Sequence, residues 1–400
     1  MYFDIDNYLK ALRFAGAQKH WPRRRRTLLV LTLWVPLQTV LHSVFFLLDY
    51  LLFPRLWIQR VEAPVFIVGH ARSGTTLMHR LLALDEARFS FFLYWETFFP
   101  ALSERLLIRG LGHLDTWILG GSLRRKLQAW DEKTFGAWRH IHEQGLWLAE
   151  EDLFVLRAAF IPQQLTLEMP LSHQLDIFHV DALSPRRRRR WMRHYRECVK
   201  RQLVDRGGQR THLSKNPVMS GWVNALIETF PDARIVTMVR DPAECIPSTL
   251  KLVSGSWQAK GWTPSDCEAA EAALIRISFD TYHLPVAALA GRPDTLQSVV
   301  DYRTLIREPV ATLERSCADI GLPVTDAQRS AAAALARPGG GHRSRFRYSL
   351  DEFPLTAAEI QSELAPFYAR FAWVAPADYA ENAASTDAQS RIAEGGKRGE

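Results

Sequence analysis

The chain has few cysteines for its length, only four in 400 residues. They stand far apart, at Cys198, Cys245, Cys267 and Cys317, and none forms a CxxC or CxxH pattern. This spacing indicates neither a zinc cage nor a disulfide framework. We therefore expect four unpaired thiols in a reducing compartment.

The sequence also lacks a small-residue cleavage site after an early apolar core, so no removable signal peptide is predicted. With 47% apolar and 23% charged residues, the composition excludes a disordered protein. It predicts one large globular domain with appendages, or two modest domains. The net charge of +7 indicates anionic partners, which are nucleotides, anionic lipids or acidic polymers.

Residues 27–53 form one long apolar run that carries no charge before Asp49 and follows four arginines at 23–26. The run is long enough to span a membrane. However, Pro36 and His42 interrupt it. Basic residues lie on both sides of the run, so the charge pattern does not indicate which end of a span would face the cytoplasm. We predict that residues 1–60 associate with a membrane, as a span or as a helix in the interface. The alternative is a helix buried against the rest of the chain.

Four short runs rich in β-branched residues, each followed by a helix signal, lie at 65–69, 211–216, 233–241 and 295–302. This pattern predicts an α/β domain over residues 61–376, a parallel sheet flanked by helices. A helical insertion at about 100–207 is expected to cover the strand ends. Within it, Ser184 and Pro185 predict the start of a basic helix, whose five arginines at 186–190 form a solvated face or bind lipid or an acidic substrate. Residues 377–400 are small and polar and are predicted to be disordered.

The first strand leads into a phosphate-binding loop that lacks its lysine. Gly69 and Gly74 permit close backbone approach, and the following helix directs N–H groups and its dipole at an anion. In a nucleoside triphosphatase, a lysine precedes the final Ser or Thr of this loop. Here Thr75 occupies that position, and the nearest cation is Arg72. The loop therefore predicts a donor with fewer charges than a nucleoside triphosphate, for which a sulfuryl donor fits.

The stretch GHARSGTTL resembles the 5′-phosphosulfate loop of sulfotransferases that use 3′-phosphoadenosine 5′-phosphosulfate (PAPS), where PRSGTT or PKSGTT is usual. His70 and Ala71 depart from the common form. The resemblance extends over about residues 61–373 and is greatest to the broad bacterial branch with the RSGTT loop. It implies a P-loop-type α/β fold with PAPS as co-substrate. We expect no required metal, because a sulfuryl group carries less charge than a γ-phosphoryl group. The loop residues expected to bind the donor are His70, Arg72, Ser73, Gly74, Thr75 and Thr76.

A second motif supports the resemblance. Arg240 ends a predicted strand and Ser248 follows eight residues later. In the family, residues so placed hold the 3′-phosphate, which suits a guanidinium and a hydroxyl that converge on one anion. The alternative is a salt bridge between Arg240 and Asp241. The resemblance also places Tyr302 beside the adenine, and it assigns Gly341, His342 and Arg343 to the segment that closes over the 3′-phosphate.

Sulfuryl transfer requires positioning, positive charge and a base for the acceptor. We assign charge stabilisation to Arg72 and to Lys215, which resembles the lysine of the family's K-x-P turn. Glu96 is the predicted base, because it lies among aromatic residues that favour a raised pKa. A structural role is the alternative for Glu96. The other candidates for the base are Glu151, Asp152, His140 and His142.

The predicted function is sulfuryl transfer to a hydroxyl or amine of an amphiphilic, lipid-linked or carbohydrate acceptor. A P-loop kinase with Asp241 or Asp301 as its acidic residue is one rival, and a non-catalytic, membrane-bound nucleotide-binding protein is another. No nucleic acid partner is expected. The expected location is the cytoplasmic face of a bacterial inner membrane, or a Golgi lumen if the protein is eukaryotic.

Overall fold

A computed structural model describes residues 1–136, 145–335, 350 and 352–373. At its centre is a five-stranded sheet in the order β2-β3-β1-β4-β5, whose neighbouring strands are all parallel. The strands are β1 (Val65–Gly69), β2 (Phe89–Ser90), β3 (Thr211–Lys215), β4 (Arg234–Val239) and β5 (Gln297–Asp301). The α/β fold with a parallel sheet is thus confirmed. The two-residue strand β2 was not predicted, because so short a segment has no period to recognise.

Helices flank the sheet and fill the region between β2 and β3, where the helical insertion is predicted. The α-helices are α1 (Ile5–Ala17), α2 (Arg24–Leu29), α3 (Val35–Leu52), α4 (Arg55–Ile58), α5 (Thr75–Ala83), α6 (Leu102–Ile118), α7 (Ser122–Phe135), α8 (Leu165–Glu168), α9 (Pro185–Asp205), α10 (Val223–Thr229), α11 (Pro242–Gln258), α12 (Pro264–Ala290), α13 (Tyr302–Arg307), α14 (Pro309–Asp319), α15 (Asp326–Leu335), α16 (Ala357–Glu363) and α17 (Ala365–Phe371). There are 3₁₀ segments at Tyr94–Phe98, Asp152–Ala159, Val180–Ala182 and Pro217–Trp222.

The strand β1 is buried along its whole length because both faces of the sheet are covered. Phe66 and Val68 point into an apolar cluster that includes Trp191 and Trp222. The alternate residues Val65 and Ile67 point to the opposite face, against α5, α14 and α15. Because the strands are parallel, their carboxyl ends share one edge, and the predicted motifs that follow β1, β3, β4 and β5 all lie there.

Residues Arg24–Leu52 form one continuous helix, in which a π-helical turn at Val30–Trp34 joins α2 to α3. It is long and apolar enough to cross a membrane, and 11% of its most apolar window is buried. Pro36 lies directly after this π-helical turn, and the helix continues through it. On its inward side, Asp49 is fully buried and accepts a hydrogen bond from Arg201 Nε at 2.8 Å.

The basic helix α9 begins at Pro185, as predicted. Ser184 occupies the N-cap position without a side-chain cap bond to any described residue. Arg187 forms a salt bridge with the buried Asp4 at 2.8 Å, which ties α9 to the residue before α1. The arginine run is therefore partly a structural link. The four cysteines are buried free thiols in the described chain.

Candidate active site

The loop between β1 and α5 has the turn that the sequence predicts. Gly69 and Gly74 adopt φ values of 132° and 92°, and the N–H of Ser73 donates to the carbonyl of His70 at 3.1 Å. Arg72 has a φ of 71°, a left-handed conformation that is costly for a side chain with a Cβ. The backbone strain therefore falls on the one cation of the loop, as is common at functional sites.

Both glycines are required by close contacts. A Cβ at Gly69 would lie 2.1 Å from the carbonyl oxygen of Met238 on the neighbouring strand β4. A Cβ at Gly74 would lie 2.4 Å from Cδ2 of Tyr302. The ring of Tyr302 is thus packed directly on the loop, although 228 residues of sequence separate it from Gly74. This contact joins the loop to the residue predicted to lie beside the adenine.

The loop retains a buried hydroxyl that nothing in the described chain satisfies. Ser73 is fully buried, and its Oγ has no hydrogen-bond partner among the described residues. Thr75, at the first position of α5, is 3% exposed, and Thr76 is partly exposed. An unsatisfied buried hydroxyl beside a helix N-terminus fits an anion that would complete its hydrogen bonding.

Arg240 follows β4 and reaches the loop. Its Nη1 lies 3.3 Å from the carbonyl oxygen of Arg72, and its guanidinium carbon is 4.6 Å from the centre of the Tyr302 ring. The remaining guanidinium nitrogens bond to Glu244, one turn into α11. Ser248, also on α11, is 7% exposed. The structure therefore brings Arg72, Gly74, Arg240 and Tyr302 together at one edge of the sheet.

The alternative salt bridge between Arg240 and Asp241 does not form. Asp241 is fully buried, caps α11 by accepting from the N–H of Ala243 at 3.0 Å, and accepts from Tyr368 at 3.2 Å. Asp301 similarly caps α13 and accepts from Trp373 Nε1 at 3.1 Å. The two acids available to a kinase are thus engaged in structural hydrogen bonds.

His70 and Arg240 share a support that the sequence did not indicate. Tyr282, on α12, stacks on the His70 ring with 5.5 Å between centroids and donates to the Arg240 carbonyl at 2.8 Å. Burial lowers the pKa of His70 to about 4, so its ring is neutral at physiological pH. His70 therefore contributes packing to the loop rather than a positive charge.

Lys215 ends β3 beside Ile67 of β1 and is 3% exposed. Its Nζ lies 3.2 Å from Oε1 of Glu151 and 3.7 Å from Oε1 of Glu150. Burial alone would lower the pKa of Lys215, but these two carboxylates outweigh burial and raise it above the ordinary lysine value. Gln163 donates to the other oxygen of Glu151 at 2.8 Å. Lys215 is therefore a protonated cation with a carboxylate in direct contact.

Glu96 lies in a different network. Its fully buried carboxylate accepts from Arg206 at 2.8 Å and from Arg109 at 3.2 Å. The backbone N–H of Leu93 and the side chain of Gln202 occupy its other oxygen. Both oxygens are thus used by described donors from α6, α9 and its own turn. This arrangement favours the structural alternative, and the role of Glu96 as a base stays a prediction.

Asp152 is also enclosed. It is 1% exposed and accepts from Ser214 at 2.9 Å, lies 3.0 Å from His212 Nε2, and accepts from the hydroxyl of Tyr195. Among the carboxylates predicted as bases within the described residues, Glu151 is therefore the one that contacts Lys215. The predicted residues His140, His142, Gly341, His342 and Arg343 lie outside the described residues.

Several residues at this edge carried no motif in the sequence. Ser220 accepts a hydrogen bond from the N–H of Gly69 at 2.9 Å and fixes the end of β1. Tyr282 lies in the middle of the 27-residue helix α12, where nothing distinguishes it from a core aromatic. In the sequence, nothing marked Glu150 as a site residue except its position next to Glu151. Contacts between distant parts of the chain, rather than local patterns, assign these residues to the site.

Comparison with known proteins gives a consistent result. The sulfotransferase family matches residues 64–326, well over half of the chain. The omega-hydroxy-beta-dihydromenaquinone-9 sulfotransferases Stf3 of Mycobacterium bovis and Mycobacterium tuberculosis are 26% identical over 269 residues, 65% of this chain and 63% of theirs. The match thus spans less than two thirds of these curated relatives.

Two solved structures share the fold. Sulfotransferase STF9 from Mycobacterium avium aligns with a TM-score of 0.63 and 18% identity, covering 92% of this chain and 97% of that one. Sulfotransferase STF1 from Mycobacterium tuberculosis H37Rv aligns with a TM-score of 0.61 and 20% identity, covering 90% and 92%.

Proposed function

Because the chain belongs to the sulfotransferase family, we propose that it moves a sulfuryl group from PAPS to a hydroxyl or amine of an apolar acceptor. The observation that carries the proposal is the contact between its two cationic motifs, in which Arg240 Nη1 lies 3.3 Å from the Arg72 carbonyl oxygen. One bisphosphorylated adenosine that lies across this edge reaches both motifs. Its 5′ end meets the loop and its 3′-phosphate meets Arg240.

The residues present suit this donor. The unpartnered hydroxyl of Ser73 and the N-terminus of α5 provide hydrogen bonds for the 5′-phosphosulfate. The Tyr302 ring, which contacts Gly74 and lies 4.6 Å from the Arg240 guanidinium carbon, is proposed to lie beside the adenine. Ser248 and the 341–343 segment are proposed to complete the 3′-phosphate site. Glu244 holds Arg240 until that phosphate replaces it.

In the proposed step, an acceptor oxygen or nitrogen forms a bond to sulfur while the bond from sulfur to the 5′-phosphate oxygen breaks. The leaving bisphosphate keeps the electron pair, and the acceptor's proton passes to a carboxylate. Arg72 and Lys215 stabilise the charge that develops on the transferred group. Glu151, in contact with Lys215, is the base that geometry supports, and Glu96 is the alternative. No metal is required, because a sulfuryl group carries less charge than a γ-phosphoryl group.

An apolar acceptor is supported by a series of aromatic rings that runs toward Glu151. Trp130 contacts Phe135 at 5.9 Å, Phe135 contacts Tyr94 at 5.8 Å, and Tyr94 contacts Phe154 at 6.3 Å, between ring centroids. Phe154 belongs to the 3₁₀ segment that directly follows Glu151. The related mycobacterial Stf3 proteins, which are omega-hydroxy-beta-dihydromenaquinone-9 sulfotransferases, support the same class of acceptor. A carbohydrate is the alternative acceptor.

Arg157 is proposed to bind a polar oxygen of this acceptor. Its guanidinium carbon stands 4.0 Å from the centre of the Phe98 ring, which itself contacts Tyr94 at 5.1 Å. The buried Nε and Nη2 atoms have no hydrogen-bond partner among the described residues. Burying a guanidinium without a partner is costly, so a ligand oxygen is the expected partner.

The proposed location is the cytoplasmic face of a bacterial membrane, with a lumenal Golgi site as the alternative in a eukaryote. The apolar helix Arg24–Leu52 and the free, buried thiols support this placement. Both features suit an enzyme that binds a lipid-soluble acceptor at the membrane and a charged nucleotide donor from a reducing aqueous compartment.

Isothermal titration with 3′-phosphoadenosine 5′-phosphate and with ADP, each with and without Mg²⁺, tests the proposal. We expect tight, metal-independent binding of the bisphosphate and weak binding of ADP. Transfer of ³⁵S from labelled PAPS to lipid and carbohydrate extracts then identifies the acceptor class. Preference for ADP plus Mg²⁺ would support the kinase, and binding without transfer to any extract would support a non-catalytic protein.

A further inference from the structure

An apolar surface that we call the platform is formed by the outward side of the helix Arg24–Leu52 together with α4, α6 and α7. Large apolar side chains are exposed over it, among them Leu37 (59%), Leu47 (68%), Leu51 (74%), Trp57 (70%), Ile58 (79%) and Trp117 (82%). Single exposed leucines are ordinary on protein surfaces, but many large apolar side chains exposed on elements that contact one another mark an interaction site.

The two parts of the platform are fixed to each other. Asp49 of α3 accepts hydrogen bonds from the N–H groups of Leu102 and Ser103, each at 2.8 Å, and so caps α6. His42 Nδ1 lies 2.6 Å from Oε1 of Glu104, again between α3 and α6. Asp115 of α6 in turn accepts from the N–H groups at the start of α7. These hydrogen bonds therefore hold α3, α6 and α7 in fixed contact with one another.

These contacts favour a helix Arg24–Leu52 that stays attached to the fold over one that crosses a bilayer. Asp49 is fully buried, and its carboxylate bonds to the start of α6 and to the guanidinium of Arg201 instead of to water. The backbone carbonyl of Leu31 accepts from the hydroxyl of Tyr8 at 3.0 Å, which holds the other end of the helix. A spanning helix would place these polar groups in hydrocarbon without their partners, at a cost that the attached fold avoids.

The charges around the platform identify its partner. Exposed arginines stand at both ends of the long helix, at positions 25 and 26 and again at 55 and 60. On α7, Arg124, Arg125 and Lys126 are exposed beside the apolar residues. Between positions 24 and 60 the sole acidic residue is the buried Asp49. An apolar face with a basic border matches a membrane rich in anionic lipids.

We propose that the platform seats the protein on the surface of an anionic bilayer, with the helix Arg24–Leu52 in the plane of the membrane and α6–α7 beside it. This placement does not depend on sulfuryl transfer. It has one consequence for the proposed function, because Trp130 of α7 begins the aromatic series that leads toward Glu151. A lipid-soluble acceptor would therefore enter from the membrane side without crossing water.

Vesicle flotation of the full-length protein tests the proposal, with phosphatidylcholine alone and with added phosphatidylglycerol. Binding is expected to increase with the anionic lipid and to weaken in high salt. Trp117→Asp and Leu47→Asp should each reduce binding by roughly tenfold, because an aspartate is costly to insert in the interface. Leu252→Asp is the matched control, since Leu252 is 60% exposed on α11, outside the platform, and should bind as the wild type does. Circular dichroism melting confirms that each variant is folded.

Two measurements test the alternatives to membrane-surface binding, which are a membrane-spanning helix and contact with a second copy of the chain. Extraction of native membranes with alkaline carbonate should release the protein, whereas retention would mean that the helix spans. Analytical ultracentrifugation in low detergent should give a monomer; a dimer that the Leu47→Asp variant abolishes would make the platform an interface between copies. Equal flotation of Trp117→Asp, Leu47→Asp and wild type would overturn the proposal.

Discussion

Arg240 donates a hydrogen bond to the backbone carbonyl of Arg72 at 3.3 Å, so the two cationic motifs of the chain meet although 168 residues separate them. The remaining nitrogens of Arg240 bond to Glu244, which is 41% exposed and is a weak competitor for a phosphate. A phosphate of a bound nucleotide is therefore able to replace the Glu244 carboxylate as the partner of the Arg240 guanidinium.

Arg240→Lys should weaken binding of 3′-phosphoadenosine 5′-phosphate by roughly 10- to 100-fold, because a lysine cannot replace the forked contact. Binding of 5′-AMP should change little. Glu244→Gln should strengthen bisphosphate binding a few-fold by removing the competitor. Arg307→Lys is the control, since Arg307 is 74% exposed and pairs with its neighbour Glu308. Titration calorimetry of the wild type and the three variants measures these affinities, and an equal loss of AMP and bisphosphate binding in Arg240→Lys would contradict the assignment.

Arg72 should show opposite effects on stability and activity. Its φ of 71° costs a residue with a Cβ about 1 kcal/mol that glycine does not incur. Arg72→Gly should therefore be more stable than Arg72→Ala by about 1 kcal/mol in urea unfolding, while both lose at least about 100-fold in turnover. Equal stability of the two variants would mean that the loop is not left-handed, and retained turnover would remove Arg72 from the chemistry.

The sequence predicted what local patterns encode. The β1 loop, the strand that carries Arg240 and the strand that carries Lys215 follow from β-branched runs and turn glycines, and the structure has them at the predicted positions. The environment of Glu96 was not predictable, because Arg109 lies on α6, Arg206 follows the end of α9, and no period links them to Glu96. The same holds for Tyr282, whose contacts with His70 and Arg240 exist only after α12 packs on the sheet.

Glu151→Gln should mainly reduce turnover, whereas Glu96→Gln should mainly reduce stability. If Glu151 is the base, its variant should lose about 10²- to 10⁴-fold in kcat, and its loss of stability should be limited because Glu150 remains 3.7 Å from the buried Lys215. Glu96→Gln should lose about 2 kcal/mol of stability, because Arg109 and Arg206 remain near a neutral group. The side chains of Arg109 and Arg206 are 32% and 29% exposed, so this loss of stability is smaller than for a fully buried ion pair. Single-turnover assays and thermal melts measure both, and a folded Glu96→Gln protein without activity would favour Glu96 as the base.

His70 should make the fold sensitive to acid. Its pKa is lowered by burial to about 4 in the folded chain, against an ordinary value of 6.5. The unfolded chain therefore binds a proton first, and stability that is present above pH 6.5 is lost as the pH falls toward 4. At about pH 5 the loss is about 2 kcal/mol. In melts at a series of pH values, His70→Gln should reduce this dependence by the part that His70 contributes, while the buried His79 and His194, whose pKa values burial also lowers, keep the remainder. The exposed His113→Gln should leave the dependence unchanged, and parallel curves for His70→Gln and wild type would contradict the prediction.

Arg157→Met should separate acceptor binding from folding. Burial lowers the pKa of Arg157 to about 10, and its Nε and Nη2 have no partner among the described residues. A methionine of similar length keeps the contact with Phe98 and removes the cost of burying the charge, so the melting temperature should rise or stay unchanged. The KM for the acceptor should increase by roughly tenfold or more, because a ligand oxygen loses a charged hydrogen bond. Affinity for 3′-phosphoadenosine 5′-phosphate should not change. An unstable Arg157→Met protein with normal acceptor KM would instead make Arg157 a structural residue.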